Sequence, residues 1–162
     1  MRAGRPALLV LLGLVGSVPS GLAVSRQAED AVLEAVVRAR LAELRIAARA
    51  DAGEPSVFCL AINPGSAPQT PGRDFMARFK DETDVRTAGQ CETRARTVVE
   101  IGSGVRALVL TVGPVEWVRD DEAWVTTTVL RDHPYPPPVT YRVVREQDTW
   151  TSLGPVVKIA PA

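Results

Sequence analysis

Histidine occurs once in the 162 residues, lysine twice and cysteine twice, and aromatic side chains make up only 5%. One histidine cannot build a multi-histidine zinc site, and two cysteines without CxxC spacing do not supply one either. Two thiols also exclude a disulfide-dense miniprotein. Neither charge sign is in excess: 19 basic residues balance 19 acidic ones. That balance argues against non-specific nucleic-acid binding, which needs clustered surplus Lys or Arg. There is no G-x-S-x-G, phosphate loop, dinucleotide fingerprint or H-E-x-x-H, so no metal or cofactor is expected. Gly102-Ser103-Gly104 reads as a turn, because it lacks the flanking helix of a nucleophile elbow. What is present is 46% hydrophobic content, enough for the core of one domain. Collagen-like, disordered and polytopic membrane classes are thereby excluded.

The N-terminus reads as a secretory leader. Arg2 and Arg5 precede an uncharged run from Pro6 to Gly16, Pro19 and Gly21 break it, and Gly21-Leu22-Ala23 presents small residues where a signal peptidase reads. The apolar run is too short to span a bilayer. Residues 1–23 are therefore expected to be removed, leaving 24–162 as one domain of 139 residues with net charge −2 and no membrane association. Arginine supplies 17 of the basic residues, scattered along the chain, which suits a GC-rich coding bias. Together with the leader it suggests a bacterial protein, periplasmic or released from the cell.

From Gln27 to Ala50, Leu33, Val37, Leu41, Leu44 and Ala48 recur at steps of three and four, which predicts an amphipathic helix. Glu29, Asp30 and Glu34 lie early and Arg45 and Arg49 late, complementing the helix dipole; Glu34 and Arg38 are spaced for an ion pair. Its mixed-sign polar face does not suit a membrane-binding helix. Ser56–Asn63, apolar between two prolines, predicts a buried strand with Phe58, Leu60 and Ile62 on one face and Val57, Cys59 and Ala61 on the other. Asp74–Asp81 places Phe75 and Phe79 on one side of a short helix. From Thr93 onward the period becomes two. Strands are predicted over 97–101, 105–112 with continuation at 115–118, 123–130, 139–146 and 149–159, with Gly113-Pro114 as a bulge.

The fold class predicted is α+β: an amphipathic helix and a short second helix on one curved antiparallel sheet of about four to six strands. A four-residue loop at 119–122 would bring Trp117 opposite Trp124. A two-residue turn at 147–148 would bring Arg145 opposite Trp150 for a cation–π contact.

The strings VGPVEWVRDDEAWV and TYRVVREQDTW, with the earlier CLAI and the later Cys91, resemble a group of small exported bacterial proteins without an assigned activity. The resemblance runs roughly from Val57 to Ser152 and carries no catalytic residue over. It departs at LRDHPYPPPVTY, where members of the group have additional cysteines. The order of elements is also similar to the cone-shaped α+β fold of ketosteroid isomerase and scytalone dehydratase, less one helix. That is a likeness of shape, which does not fix function.

An even cysteine count in an exported chain favours a Cys59–Cys91 disulfide over a thiol nucleophile, since a mid-strand apolar Cys is poorly placed to react. Asp120, Asp121 and Glu122 read as a solvated hairpin turn rather than a calcium site, because three consecutive carboxylates cannot converge on one ion. The proline-rich loop 131–138 reads as a stiff connection and a recognition surface. Two functions follow. One is a non-catalytic exported domain, monomer or homodimer, binding an unidentified small molecule or protein through the sheet's concave face or the proline-rich loop, with a sheet face filled by packed Val, Leu and Trp. The other is a small isomerase, cyclase or dehydratase with His133, Asp132 or Tyr141 as acid–base groups in an open apolar cavity. A cystatin-like inhibitor would share the architecture, but only T-V-G at Thr111–Gly113 echoes its hairpin motif.

Overall fold

A computed structural model describes residues 25–50, 55–131 and 136–156. Helix α1 (Arg26–Ala50) is followed by β1 (Val57–Ile62) and α2 (Arg73–Met76), which tightens into a 3₁₀ turn at Ala77–Phe79. Then come β2 (Val85–Thr87), β3 (Cys91–Arg94), β4 (Thr97–Glu100), β5 (Ala107–Arg119), β6 (Glu122–Leu130), β7 (Val139–Glu146) and β8 (Thr149–Val156). This is the expected α+β class, with the long helix and the short one in place.

The sheet corrects the expectation in composition and direction. Six strands run in the order β2-β1-β5-β6-β7-β8, and β3 and β4 form a separate two-stranded sheet. The large sheet is mixed: β1 lies parallel to both β2 and β5, and only β5 through β8 form the antiparallel meander. The physical reason is that β1 is joined to its neighbours through α2 and the β3–β4 hairpin rather than by tight turns. Long connections return the chain in the same direction.

The period-two reading of β1 holds on both faces. Phe58 and Leu60 join Leu108, Leu110, Val112, Val125, Tyr141 and Val143 in a core closed by Val32, Leu33, Val36, Val37 and Leu41 of α1 and by Phe75 and Phe79. Val57 and Cys59 face the other way and pack with Val98 and Ala107. Each fully buried Val or Leu contributes about 1.5–3 kcal/mol from leaving water. Phe75 and Phe79 meet as predicted, with ring centroids 5.4 Å apart.

The bulge at Gly113-Pro114 is present as a register shift between Val112 and Val115, across a cis peptide bond. Gly113 has φ 106°, and a Cβ there would stand 2.4 Å from the Asn63 carbonyl oxygen. Glycine is therefore required on both counts.

Three local readings are corrected. The β5–β6 turn is the two-residue Asp120-Asp121, since Arg119 pairs with Glu122, and a register shift between Trp117 and Arg119 then sets Trp117 opposite Ala123 and Trp124 opposite Glu116. Trp117 instead meets Trp150 edge-on at 5.4 Å. The two-residue turn at Gln147-Asp148 does set Arg145 opposite Trp150, but the guanidinium donates to Asp148 at 2.6 Å. Finally, Glu122 is no solvated turn residue. It is 6% exposed and accepts hydrogen bonds from Arg119 and, at 2.8 Å, from Arg142 Nε. The Arg142 hydrogen bond holds its carboxyl below the ordinary range.

The predicted disulfide is formed between Cys59 and Cys91, with Cα atoms 6.3 Å apart. It fastens the β3–β4 hairpin to the second face of β1 and is consistent with an oxidising, exported environment. Among the described residues no helix is long and apolar enough to cross a membrane.

Candidate functional site

Of the residues singled out for acid–base chemistry, Asp132 and His133 lie outside the described residues, as does the expected leader at 1–23. Tyr141 is inside the core, between β7 and α1, fully buried. Its hydroxyl donates to Glu43 Oε2 at 2.6 Å, and Arg40 Nη1 reaches the same carboxylate oxygen at 2.7 Å. Burial, reinforced by the Glu43 hydrogen bond, drives the phenol well above its ordinary pKa, so at neutral pH it is an un-ionised donor. Glu43 and Arg40 carry no motif; they flank the apolar stripe of α1, where an i, i+3 pair can lean over the sheet.

A raised phenol pKa has a defined sign in the stability curve. The folded state holds the proton more tightly than the unfolded chain, so this contribution is complete below the unfolded value of about 10 and is lost as pH climbs above it. The expected result is that Tyr141→Phe costs about 1.5–3 kcal/mol at neutral pH, the range for a hydrogen bond to a charged group. It should also abolish the late tyrosinate absorbance that coincides with alkaline unfolding. Urea denaturation and an ultraviolet pH titration check the two halves.

Among the described residues, two clefts lie at opposite ends of α1. The one at its C-terminal end, about 510 Å³, is lined by Arg45, Phe58, Glu82 and Asp84. Its central charges are matched: Arg45 Nε donates to Asp84 at 2.8 Å and Nη2 to Glu82 at 2.8 Å. The hydrogen bond to Asp84 raises the arginine's pKa further, and the guanidinium lies 5.7 Å from the Phe58 ring centroid. This is a clamp between α1 and the turn before β2.

The other cleft, about 870 Å³, lies between the first turns of α1, the carboxyl end of β1 and the segment leading into α2. Leu33, Ile62 and Phe75 supply apolar lining, and Arg26, Glu29, Asp30, Arg73, Asp74 and Arg78 supply charge. Its wall is rigid for a connection. Ile62 and Gln69 exchange backbone hydrogen bonds at 2.9 and 2.7 Å, Asn63 N–H donates to Val112 O at 2.8 Å, and Asn63 Oδ1 accepts from Gly65 N–H at 2.9 Å. Arg78 is held by Glu34 at 2.8 Å. Among the described residues, Arg26, Glu29, Asp30, Arg73 and Asp74 hold no ion pair.

The first cleft is thus built around the Arg45–Asp84–Glu82 pairing, with Arg49 and Asp81 also in its lining, while the larger second cleft presents five charges of both signs without an ion pair among the described residues. The second is the candidate site. It was missed in the sequence because its residues span 26–78 and belong to no spaced motif. Among the described residues no group of three or more His, Cys, Asp or Glu side chains is arranged to hold a metal ion.

Compared with protein-family models, curated proteins and solved structures, the chain matches none of them.

Proposed function

We propose that this is a small exported, non-catalytic domain that binds a ligand or protein partner in the cleft between the start of α1 and the carboxyl end of β1. The single observation that carries the reading is how the space beneath α1 is used. Val, Leu, Phe, Trp and Tyr side chains fill it, and the Tyr141 hydroxyl, the polar group of β7 that enters it, is spent on Glu43, which Arg40 Nη1 also holds; among the described residues Arg40 Nε is the atom of that cluster left buried without a partner. An isomerase, cyclase or dehydratase of this shape would need that space as an open cavity with convergent polar groups. The resemblance to small exported proteins and the disulfide support export.

The cleft's chemistry describes its ligand. Apolar lining gives affinity by burial, while hydrated charges of both signs must be matched when water leaves. A partner carrying cationic and anionic groups beside an apolar one, such as a peptide segment, meets those terms better than a polyanion.

The test is a photo-cross-linking amino acid at Asp74, in the cleft, against one at exposed Arg96, in the β3–β4 turn. Irradiation in the native cell envelope is expected to give a discrete adduct from position 74 and none from 96. Equal labelling at both positions, or none at either, would remove the reading.

A further inference from the structure

The large sheet has two edges, and only one is defended. β2 is three residues long and carries Arg86; shortness and charge are the usual means of blunting an edge. β8 is eight residues long, TWTSLGPV, without a charged side chain. Among the described residues no strand lies beyond it. Its own protections, the register shift at 153–154 with Gly154 at φ 97° and Pro155 beyond it, come only at its end and leave 149–152 regular.

The direction of its backbone follows from the ladder. Arg145 N–H donates to Asp121 O at 2.8 Å, on the β6 side, so the opposing Trp150 is a non-hydrogen-bonded partner of β7. By alternation, the N–H and C=O of Trp150 and Ser152 point away from β7. Leu153, within the register shift, is 54% exposed.

We infer that β8 is a self-association edge that pairs antiparallel with β8 of a second copy about a two-fold axis at Thr151. In that register Trp150 of each strand meets Ser152 of the other, giving about four backbone hydrogen bonds. No like charges meet, because the strand has none and Asp148 falls opposite Gly154. A strand edge demands a strand, and this one is complementary to itself, as an isologous interface requires.

Thr151 decides the test, since the axis sets it against its own copy while its side chain stays clear of the core. Sedimentation equilibrium of the naturally processed protein is expected to show a reversible dimer. Thr151→Lys and Thr151→Glu should each weaken it roughly tenfold or more by like-charge repulsion, and an equimolar mixture should restore it. Ser152→Pro removes an outward N–H without breaking a bond to β7 and should weaken it likewise, with an unchanged near-ultraviolet spectrum confirming the fold. A wild-type monomer at every concentration, or a dimer indifferent to these substitutions and to mixing, would overturn the inference.

Discussion

Replacing both Cys59 and Cys91 by alanine, or reducing the bond between them, is expected to lower the unfolding free energy by about 3–4 kcal/mol. The bridge closes a loop of sequence separation 32. In the chain-entropy account its main effect is to restrict the unfolded chain. The folded structure gives that bond unusual local weight. The β3–β4 hairpin docks on the large sheet through the small cluster of Val57, Cys59, Val98 and Ala107, far less apolar surface than α1 commits to the other face. Urea unfolding with and without reductant measures the total. Hydrogen exchange should show the loss first in 91–100, with 139–156 little changed. A cost below about 1 kcal/mol would mean that the hairpin is held by packing and by the Arg86–Glu100 pair at 2.5 Å rather than by sulfur.

Leu41→Ala is expected to cost about 2–5 kcal/mol. Leu41 is fully buried on the stripe of α1. If the space beneath the helix is filled as the structure has it, the truncation leaves a void that rigid neighbours cannot close. Ile46→Ala, on a residue 68% exposed, should by contrast fall within about 0.5 kcal/mol of wild type. This pair of measurements bears directly on function. A molecule with a genuine cavity under α1 would lose little when one wall side chain shrinks, so a cost for Leu41→Ala near that of Ile46→Ala would reopen the enzyme reading.

The parts of the fold that were legible in the sequence are those whose period is local. Leu33, Val37 and Leu41 announce α1, alternation in 57–62 announces a strand buried on both faces, and the Gln147-Asp148 turn fixes the register of β7 and β8. What was not legible depends on partners distant in the chain. Nothing in β1 says that it will lie parallel to β5, because that choice is made by the long connection between them. β2 and β3, three and four residues long, are too short to show a period. Trp117 found Trp150 rather than Trp124 because a bulge between Trp117 and Arg119 changed the register. The candidate cleft was invisible for the same reason: Arg26, Ile62 and Arg73 become neighbours only after the sheet and α1 are assembled. Glu122 was misread because Arg142, its main partner, belongs to another strand.

The close approach of Gly113 to Asn63 has a consequence beyond the bend it permits. Residues 63–65 seat directly on 113–114, Gly65 lying over the ring of Pro114, so one hydrogen atom on β5 sets how near the rim of the candidate cleft can settle. Enlarging that atom to a methyl would lift the rim from beneath, without altering any group a bound molecule touches. Position 113 is thus a hidden thumbscrew on groove width, available to natural drift or to a protein engineer.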